Sequence, residues 1–287
     1  MKRIQRLAIL VIVILLSSCQ KETPKIDGLA LTLLFSGNTN ADSSGSFPQK
    51  ALIINQLRAD SINTLIFDSG NLFFNSEMAS SSNQNDMEAR ANQILELFNE
   101  MDITALNIGI DDLLLGEEFI LSLKERANFV FISSNIFDSE TGKSLFFEFH
   151  VRKVAGIKVG IFGLTSDTGN FSPSIEIQDP FKTASIIANI LSKVSDLTVA
   201  LSNMPLEMNM ALADSVGSID LIIGYHDGEI SSNPKIVNGI PIYMTGLRDR
   251  EMGRIDLYLS DMRLGLTDIT AKKVEAPNSA SFSYVDL

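Results

Sequence analysis

Short apolar runs of strand length alternate with amphipathic stretches of helix length along most of this chain. Leu29–Gly37 and Thr64–Asp68 are near-continuous apolar runs, which is typical of strands buried on both faces. Asp86–Met101 and Glu117–Arg126 instead carry apolar residues at helical spacing. Because strand–helix–strand repeats build parallel sheets covered by helices, this alternation predicts an α/β fold.

The second half of the chain adds antiparallel strands. Phe146–Val154 and Lys158–Leu164 flank an Ala-Gly turn and predict a hairpin. Asp179-Pro180 begins a helix that runs to Val194. Its inward face is predicted to carry Ile186, Ile187, Ile190 and Leu191. Later strands are predicted at Leu197–Ser202, Ile219–Gly224, Ile240–Thr245, Arg254–Ser260 and Thr267–Val274. This mixture predicts two mixed sheets packed together with helices outside.

The N-terminus has the anatomy of a secretory signal. Lys2, Arg3 and Arg6 precede a short apolar run over residues 7–16, and Ser17-Ser18-Cys19 follows. The run is too short to cross a bilayer, which takes about 20 residues. Leu-Ser-Ser-Cys resembles the lipobox of bacterial lipoproteins, in which the cysteine is diacylated and becomes the first residue.

Cys19 is the single cysteine of the chain, and it stands at the required place. We therefore predict a signal peptide over 1–18, lipidation of Cys19, a tether over 19–28, one domain over 29–275 and a tail over 276–287. Because Gln20 follows the cysteine, the lipoprotein resemblance implies sorting to the outer membrane, facing the periplasm or the cell surface. No intramolecular disulfide can form, so the core alone must hold the domain.

The charge balance excludes one class of partner. The formal net charge is −12, with no cluster of Lys or Arg in the domain. Nucleic-acid binding depends on neutralising phosphates with such clusters, so no nucleic-acid partner is expected.

The loops that follow the predicted strands carry the most specific pattern. Ligands in α/β proteins bind at these loops, beyond the carboxyl ends of strands. The loops read SGNTNAD (36–42), DSGNLFFNS (68–76), LNIGIDDLLLG (106–116), LSNMP (201–205) and GYHDGE (224–229). In order and spacing they resemble the loops of calcineurin-like metallophosphoesterases, specifically the metallophosphatase domain of the 5′-nucleotidase family.

That resemblance implies a four-layer α/β/β/α sandwich whose loops hold two divalent metals and hydrolyse phosphate esters. It covers most of Leu29 to about Leu259. The 5′-nucleotidase family has a second, C-terminal domain that grips the nucleoside, and this chain stops about where the first domain ends, so that specificity element is expected to be missing.

The positions that match the family's metal ligands carry other residues. Asn38 and Asn40 replace the Asp and His of the first motif, and Asn71 replaces the bridging Asp of the second. Ile110-Asp111 replaces the Asn-His pair of the third, and Asn203 replaces the His of the fourth. In the fifth motif His226 remains, and Gly228 replaces the second His. Amide oxygens bring no charge to offset two dications.

From these replacements we predict no bound cofactor and a non-catalytic protein that binds a ligand or a partner. The pocket is predicted at the family's ligand positions, namely Asn38, Asn40, Asn71, Asp111, Asn203 and His226. Its asparagines either bind a small polar or phosphorylated ligand or are solvated loop ends. A third hypothesis is an accessory subunit of an envelope protein complex.

The enzyme alternative is a metal-dependent phosphoesterase with a reorganised one-metal site. Asp111, Asp112 and His226 would be its ligands, with Asp42 and Asp227 as further carboxylates on the same loops. Three other residues near the second motif are predicted to be structural: Asp68 as a non-ligand acid, and Phe73 and Phe74 as buried core.

Overall fold

The computed structural model describes residues 29–38, 50–52, 54–56, 63–75, 80–167, 172–225, 234–245, 251–260 and 265–275. The side chains of 29–30, 251, 258–260 and 265–275 are outside that description. No helix in the described part of the chain has both the length and the apolar character needed to span a bilayer. The predicted signal peptide, tether, Cys19 and tail lie outside the described residues.

The first sheet has six strands in the order β14-β13-β1-β2-β3-β4. Its strands β1 to β4 are parallel, and β13 and β14 are antiparallel neighbours at one side. Their bounds are β1 Leu29–Ser36, β2 Thr64–Asp68, β3 Ala105–Asn107, β4 Val130–Ile132, β13 Glu251–Ser260 and β14 Gly265–Glu275.

The second sheet also has six strands, in the order β11-β12-β10-β9-β7-β6. Its bounds are β6 Phe149–Val154, β7 Ile157–Thr165, β9 Leu197–Asn203, β10 Leu221–Tyr225, β11 Lys235–Val237 and β12 Ile240–Thr245. The predicted hairpin is β6–β7, and β7, β9, β10 and β12 are parallel. A separate two-stranded sheet, β5 Ile136–Asp138 with β8 Ile175–Ile177, was not predicted.

Three apolar layers hold these sheets and the helices together. One lies between the first sheet and the helices α1 Gln84–Glu100 and α2 Glu117–Arg126. The middle layer, which includes Leu33, Phe67 and Val199, lies between the two sheets. The third lies between the second sheet and the helices α3 Pro180–Leu191 and α4 Leu206–Ser215. This order of layers confirms the predicted four-layer α/β/β/α sandwich.

The predicted inward face of α3 is partly wrong. Asp179 caps the helix as expected, since its carboxylate accepts from the N–H groups of Phe181 at 2.9 Å and Lys182 at 3.2 Å. The buried face, however, consists of Ala184, Ile187, Ala188 and Leu191. The two small alanines allow the helix to approach the sheet closely. With this face inward, Ile186 and Ile190 point towards solvent.

Candidate functional site

The two sheets meet at the carboxyl ends of their parallel strands. Asn107, at the end of β3, donates from Nδ2 to the carbonyl oxygens of Ser69 at 3.1 Å and Leu164 at 3.0 Å. One buried side chain therefore joins the loop after β2 to the end of β7. The candidate site lies at this edge, where the loops after β1, β2, β3 and β9 converge.

Three asparagines that were predicted as pocket residues come together here, and we call them the amide cluster: Asn38, Asn71 and Asn203. All three side chains are buried. Asn71 Nδ2 donates to Asn38 Oδ1 at 3.3 Å, and Asn71 Oδ1 accepts from the N–H of Asp111 at 3.1 Å. Asn203 Oδ1 accepts from the N–H of Ile110 at 3.2 Å. Each amide oxygen of the cluster thus already has a protein donor.

The backbone around the amide cluster depends on residues that tolerate unusual conformations. Asn38 and Asn71 have φ values of 52° and 55°, in the left-handed region that asparagine accepts more readily than most residues. Gly109 has to be glycine, because a Cβ there would lie 2.1 Å from Asn71 Oδ1 and 2.9 Å from Asn203 Nδ2. The glycine therefore lets the two amides approach each other.

Two buried carboxylates lie beneath the amide cluster, and we call them the acidic framework: Asp68 and Asp112. Asp112 accepts from three backbone N–H groups, those of Asn71, Phe73 and Gly109, each at 2.9 Å. Asp68 accepts from Ser36 Oγ at 2.7 Å and from the N–H of Gly70 at 2.9 Å. These bonds fix the loops after β1, β2 and β3 relative to one another.

Burial dominates the electrostatics of these carboxylates. It raises the pKa of Asp112 to about 7, although the N–H groups of Phe73 and Gly109 favour the anion. Burial also raises the pKa of Asp68, against the attraction of the Lys50 ammonium. Asp111 is half-buried at the rim of the site, and its pKa is also raised by burial.

One donor in the amide cluster has no partner. Within the described part of the chain, Asn203 Nδ2 is buried without a hydrogen-bond acceptor. A buried N–H left unpaired costs about 1–3 kcal/mol, so an acceptor oxygen supplied by a ligand would be stabilising there.

The structure brings together only some of the predicted site residues. Asn38, Asn71, Asp111 and Asn203 lie within one hydrogen-bonded group. Ile110 contributes its N–H, and its side chain packs in the apolar layer under α1 and α2. Asn40, Asp42, His226, Asp227 and Gly228 lie outside the described residues.

The structural role of Asp112, as a buried acceptor of backbone N–H groups, was not predicted from the sequence. The residue was proposed as a metal ligand of the one-metal alternative, and the structure places it in the interior, with both oxygens accepting backbone N–H groups. A carboxylate followed at once by Leu113, Leu114 and Leu115 was a signal of such burial. Asp68, Phe73 and Phe74 are buried as predicted.

The donors that the structure describes do not by themselves fit a pair of divalent metals. Among the residues that the structure describes, no three His, Cys, Asp or Glu side chains form a group that could hold a metal ion. At the predicted pocket positions the described donors are three neutral amides, whose oxygens are engaged, and the carboxylate of Asp111. Paired dications require several anionic ligands.

Known proteins resemble this chain in sequence and in structure. The chain is 32% identical over 149 residues to a 5′-nucleotidase of Vibrio cholerae, covering 42% of this chain and 27% of that protein. It is 26% identical over 254 residues to a 2′,3′-cyclic-nucleotide 2′-phosphodiesterase/3′-nucleotidase of Haemophilus influenzae, covering 75% of this chain and 38% of that protein. Thus it spans well under half the length of these relatives. No protein-family model matches the chain.

Among solved structures, the calcineurin-like phosphoesterase YfkN of Bacillus subtilis matches with a TM-score of 0.72 at 19% identity, covering 90% of this chain and 93% of that one. A 5′-nucleotidase precursor of Thermus thermophilus matches with a TM-score of 0.70 at 20% identity, covering 86% and 54%. Together with the sequence relatives, these matches confirm the recognition of a metallophosphatase-like domain of the 5′-nucleotidase type.

The prediction that no cofactor is bound is wrong. The sequence relatives are 5′-nucleotidases of the metallophosphatase family, which use divalent metals.

Proposed function

We propose that this chain is an exported, lipid-anchored metallophosphatase-like domain that binds a small polar or phosphorylated ligand at the amide cluster and does not turn it over. The observation that carries this proposal is the bonding of Asn71. Its Nδ2 donates to Asn38, and its Oδ1 accepts from the backbone of Asp111. The side chain at the position of the family's bridging carboxylate thus acts as a neutral link between loops.

The unpaired donor of Asn203 supports ligand binding. Phosphate, carboxylate and sugar hydroxyl oxygens all accept hydrogen bonds, and Asn203 Nδ2 is a buried donor without an acceptor among the described residues. Asp111 at the rim adds a carboxylate that accepts from hydroxyl donors. A phosphorylated sugar or nucleotide presents both kinds of group.

The charge of the site supports poor hydrolysis. Phosphoryl-transfer sites of the two-metal type hold both cations with carboxylates and stabilise charge on the attacking and leaving oxygens. Here the amide cluster contributes no charge, and Asp112 lies beneath it with both oxygens engaged. Because the relatives use divalent metals, Mn²⁺ is included in every assay.

The enzyme alternative rests on the likeness to 5′-nucleotidases. A phosphoesterase with one divalent metal would use the half-buried carboxylate of Asp111 together with His226. The two proposals differ in one measurable way. The enzyme alternative expects turnover of a phosphomonoester that requires Mn²⁺ and is lost in His226→Ala.

Titration calorimetry with adenosine 5′-monophosphate, adenosine and inorganic phosphate, each with and without Mn²⁺, tests ligand binding. We expect at least one of the phosphate-bearing probes to bind, and Asn203→Ala to weaken that binding about tenfold or more, the value of a buried hydrogen bond to a charged group. Asn189→Ala, an exposed amide on α3, is the control and should leave the affinity unchanged. Absence of binding by all three probes, or equal affinity in Asn203→Ala, contradicts the proposal.

The anchor and the partner are separate parts of the proposal. A lipid on Cys19 is expected to raise the mass of the mature protein by that of its acyl chains, and Cys19→Ser should release the protein from membranes. An envelope protein partner would be retained with the wild-type chain after detergent extraction and chemical crosslinking. Recovery of the unsubstituted chain in the soluble fraction, without acyl mass, contradicts the anchor.

A further inference from the structure

The outward face of α3 carries aliphatic side chains that nothing in the described structure covers. Ile186 and Ile190 are 62% and 41% exposed, and Val194, in the turn that follows the helix, is 48% exposed. They are spaced four residues apart, so they follow one another along the outside of the helix. Single exposed aliphatic residues are ordinary, whereas a row of three on one element indicates a contact surface.

The edge strand β6 extends this apolar row. Val151, 36% exposed, lies directly opposite Gly160 of β7. A Cβ on Gly160 would meet Leu191 and Ser195, so this face of the hairpin points towards the end of α3. Residues directly opposite each other in an antiparallel pair share a face, and Val151 therefore lies beside the end of α3.

The same face carries lysines that oppose one another. Lys153 and Lys158 form a directly opposed pair in the β6–β7 hairpin, two residues from Val151 and Gly160 and therefore on their face. Both are exposed, as is Lys193 at the end of α3. Like charges directly opposite each other are destabilising unless an anion lies between them. Asp196 lies close by, where its carboxylate accepts from the N–H of Lys158 at 2.8 Å.

This mixture contrasts with the rest of the chain. The formal net charge is −12, yet α3 itself contains no Asp or Glu between Pro180 and Leu191. Aliphatic residues beside lysines are the composition of surfaces that lie in the interface of a bilayer with acidic headgroups. We call this surface the α3 face: Val151, Lys153, Lys158, Ile186, Ile190 and Val194.

The lysines of the α3 face lie at the end of the domain where the chain enters β1. The carboxyl ends of β3 and β7 meet through Asn107, so their amino ends lie together at the opposite end. Leu29 begins β1, parallel to β2 and β3, and Lys158 is near the start of β7. Nine residues lie between Cys19 and Leu29, and the ten steps from one Cα to the other span at most about 35 Å.

We propose that the α3 face docks on the bilayer that holds the lipid anchor, with Lys153 and Lys158 on acidic phospholipid headgroups and the aliphatic row at the acyl boundary. This inference rests on the anchor in the proposed function. The α3 face consists of six residues, whereas a stable protein interface takes about 20–30 residues on each partner. A bilayer contact requires less area, because the acyl chains supply the first of two membrane signals.

The experiment uses the lipidated full-length chain, reconstituted in vesicles and carrying one fluorophore. Ile190→Cys places the label on the α3 face, and Gln93→Cys places it on an exposed position of α1, in the opposite outer layer. Labelling of the unsubstituted chain reports on the anchor, because a lipidated Cys19 has no free thiol. If the unsubstituted chain takes up one label, Cys19 has a free thiol and the anchor is refuted. Docking is then tested by sedimentation of the unanchored protein with vesicles.

Quenching by brominated acyl chains measures docking. In vesicles of phosphatidylethanolamine and phosphatidylglycerol, we expect quenching of the label at residue 190 and not of that at residue 93. Lys153→Gln with Lys158→Gln should lower the ratio of docked to undocked protein about 25-fold, about fivefold for each lysine. Added salt should also weaken quenching of the chain that has its native lysines, because it screens their attraction to the headgroups.

Three results would overturn the proposal. Equal quenching at residues 190 and 93 would show no preferred face. Unchanged quenching when phosphatidylcholine replaces phosphatidylglycerol would remove the role of acidic headgroups. Protection of residue 190 that rises with protein concentration and is unaffected by the brominated chains would assign the α3 face to a second copy of the chain.

Discussion

The acidic framework and the amide cluster are neighbours in the fold and have opposite chemistry. Asp68 and Asp112 are buried carboxylates that accept hydrogen bonds from loop backbone and from Ser36. Asn71 and Asn203, next to them, are neutral amides that accept from the N–H groups of Asp111 and Ile110. The layer that shapes the loops thus consists of carboxylates, and the layer beside it consists of neutral amides.

The course of the loops and the chemistry of the groups that line them therefore depend on different residues. Asp112 alone accepts from the N–H groups of Asn71, Phe73 and Gly109, so one buried carboxylate ties the loops after β2 and β3 together. A likeness in backbone can then persist while the reactive groups change.

Removal of the Asp112 carboxylate should have the largest effect. Asp112→Ala leaves three buried N–H groups without an acceptor, and at about 1–3 kcal/mol for each the free energy of unfolding should fall by about 5 kcal/mol. Denaturant unfolding near pH 4, where the folded carboxyl keeps its proton and no cost of burying the anion offsets the loss, measures it. Asp196→Ala is the matched control, because that exposed carboxylate accepts from the N–H of Lys158 at 2.8 Å. A similar loss in both variants would show that the buried carboxylate of Asp112 does not stabilise the loops more than an exposed one.

The pH dependence of stability should show the cost of burying Asp112. Its pKa is raised from 3.8 to about 7, so between these values the folded protein keeps a proton that the unfolded chain has lost. The free energy of unfolding should therefore fall as pH rises from about 4 to about 7, by about 4 kcal/mol from this group at 1.36 kcal/mol per pKa unit.

Asp112→Asn provides the comparison, since it removes the titrating group and keeps the shape. The difference between wild type and Asp112→Asn across this range isolates Asp112 from Asp68 and Asp111, whose pKa values are also raised. Parallel curves for the two proteins would mean that Asp112 does not titrate in this window.

A smaller effect is expected in the amide cluster. Asn71→Ala removes the bonds to Asn38 and to the N–H of Asp111 and puts alanine at a φ of 55°. The free energy of unfolding should fall by about 2–3 kcal/mol, from about 1 kcal/mol for each bond and 1 for the strained backbone. Thermal unfolding beside Asn189→Ala, an exposed amide, checks the value. No loss relative to this control would show that the amide cluster does not link the loops.

The sequence predicted the layers of this fold well because apolar periodicity reports burial directly. Thr64–Asp68, Glu117–Arg126 and Ile240–Thr245 agree with the observed elements at both ends. Strand β3 is short, Ala105–Asn107, because the residues after it turn towards Asp112. The sheet of β5 and β8 was missed, since three-residue strands give too few positions to establish a period.

The sequence predicted which edge of the sheets the three asparagines occupy, but not their individual hydrogen bonds. Motif order placed Asn38, Asn71 and Asn203 at one edge of the sheets, and the structure joins the first two directly. Which amide atom meets which backbone group depends on loop geometry that no spacing encodes. The same limit explains α3, where apolar spacing favoured Ile186 and Ile190, and the small side chains of Ala184 and Ala188 decided the buried face.

The most direct test of the account is turnover of a phosphomonoester under saturating Mn²⁺. Wild type and Asp111→Ala should release phosphate from adenosine 5′-monophosphate at the same rate as buffer with Mn²⁺ alone, because the amide cluster brings no charge to the reacting group. A kcat of about 1 s⁻¹ or more in wild type, within the usual range of enzymes, and its loss in Asp111→Ala, would contradict the account.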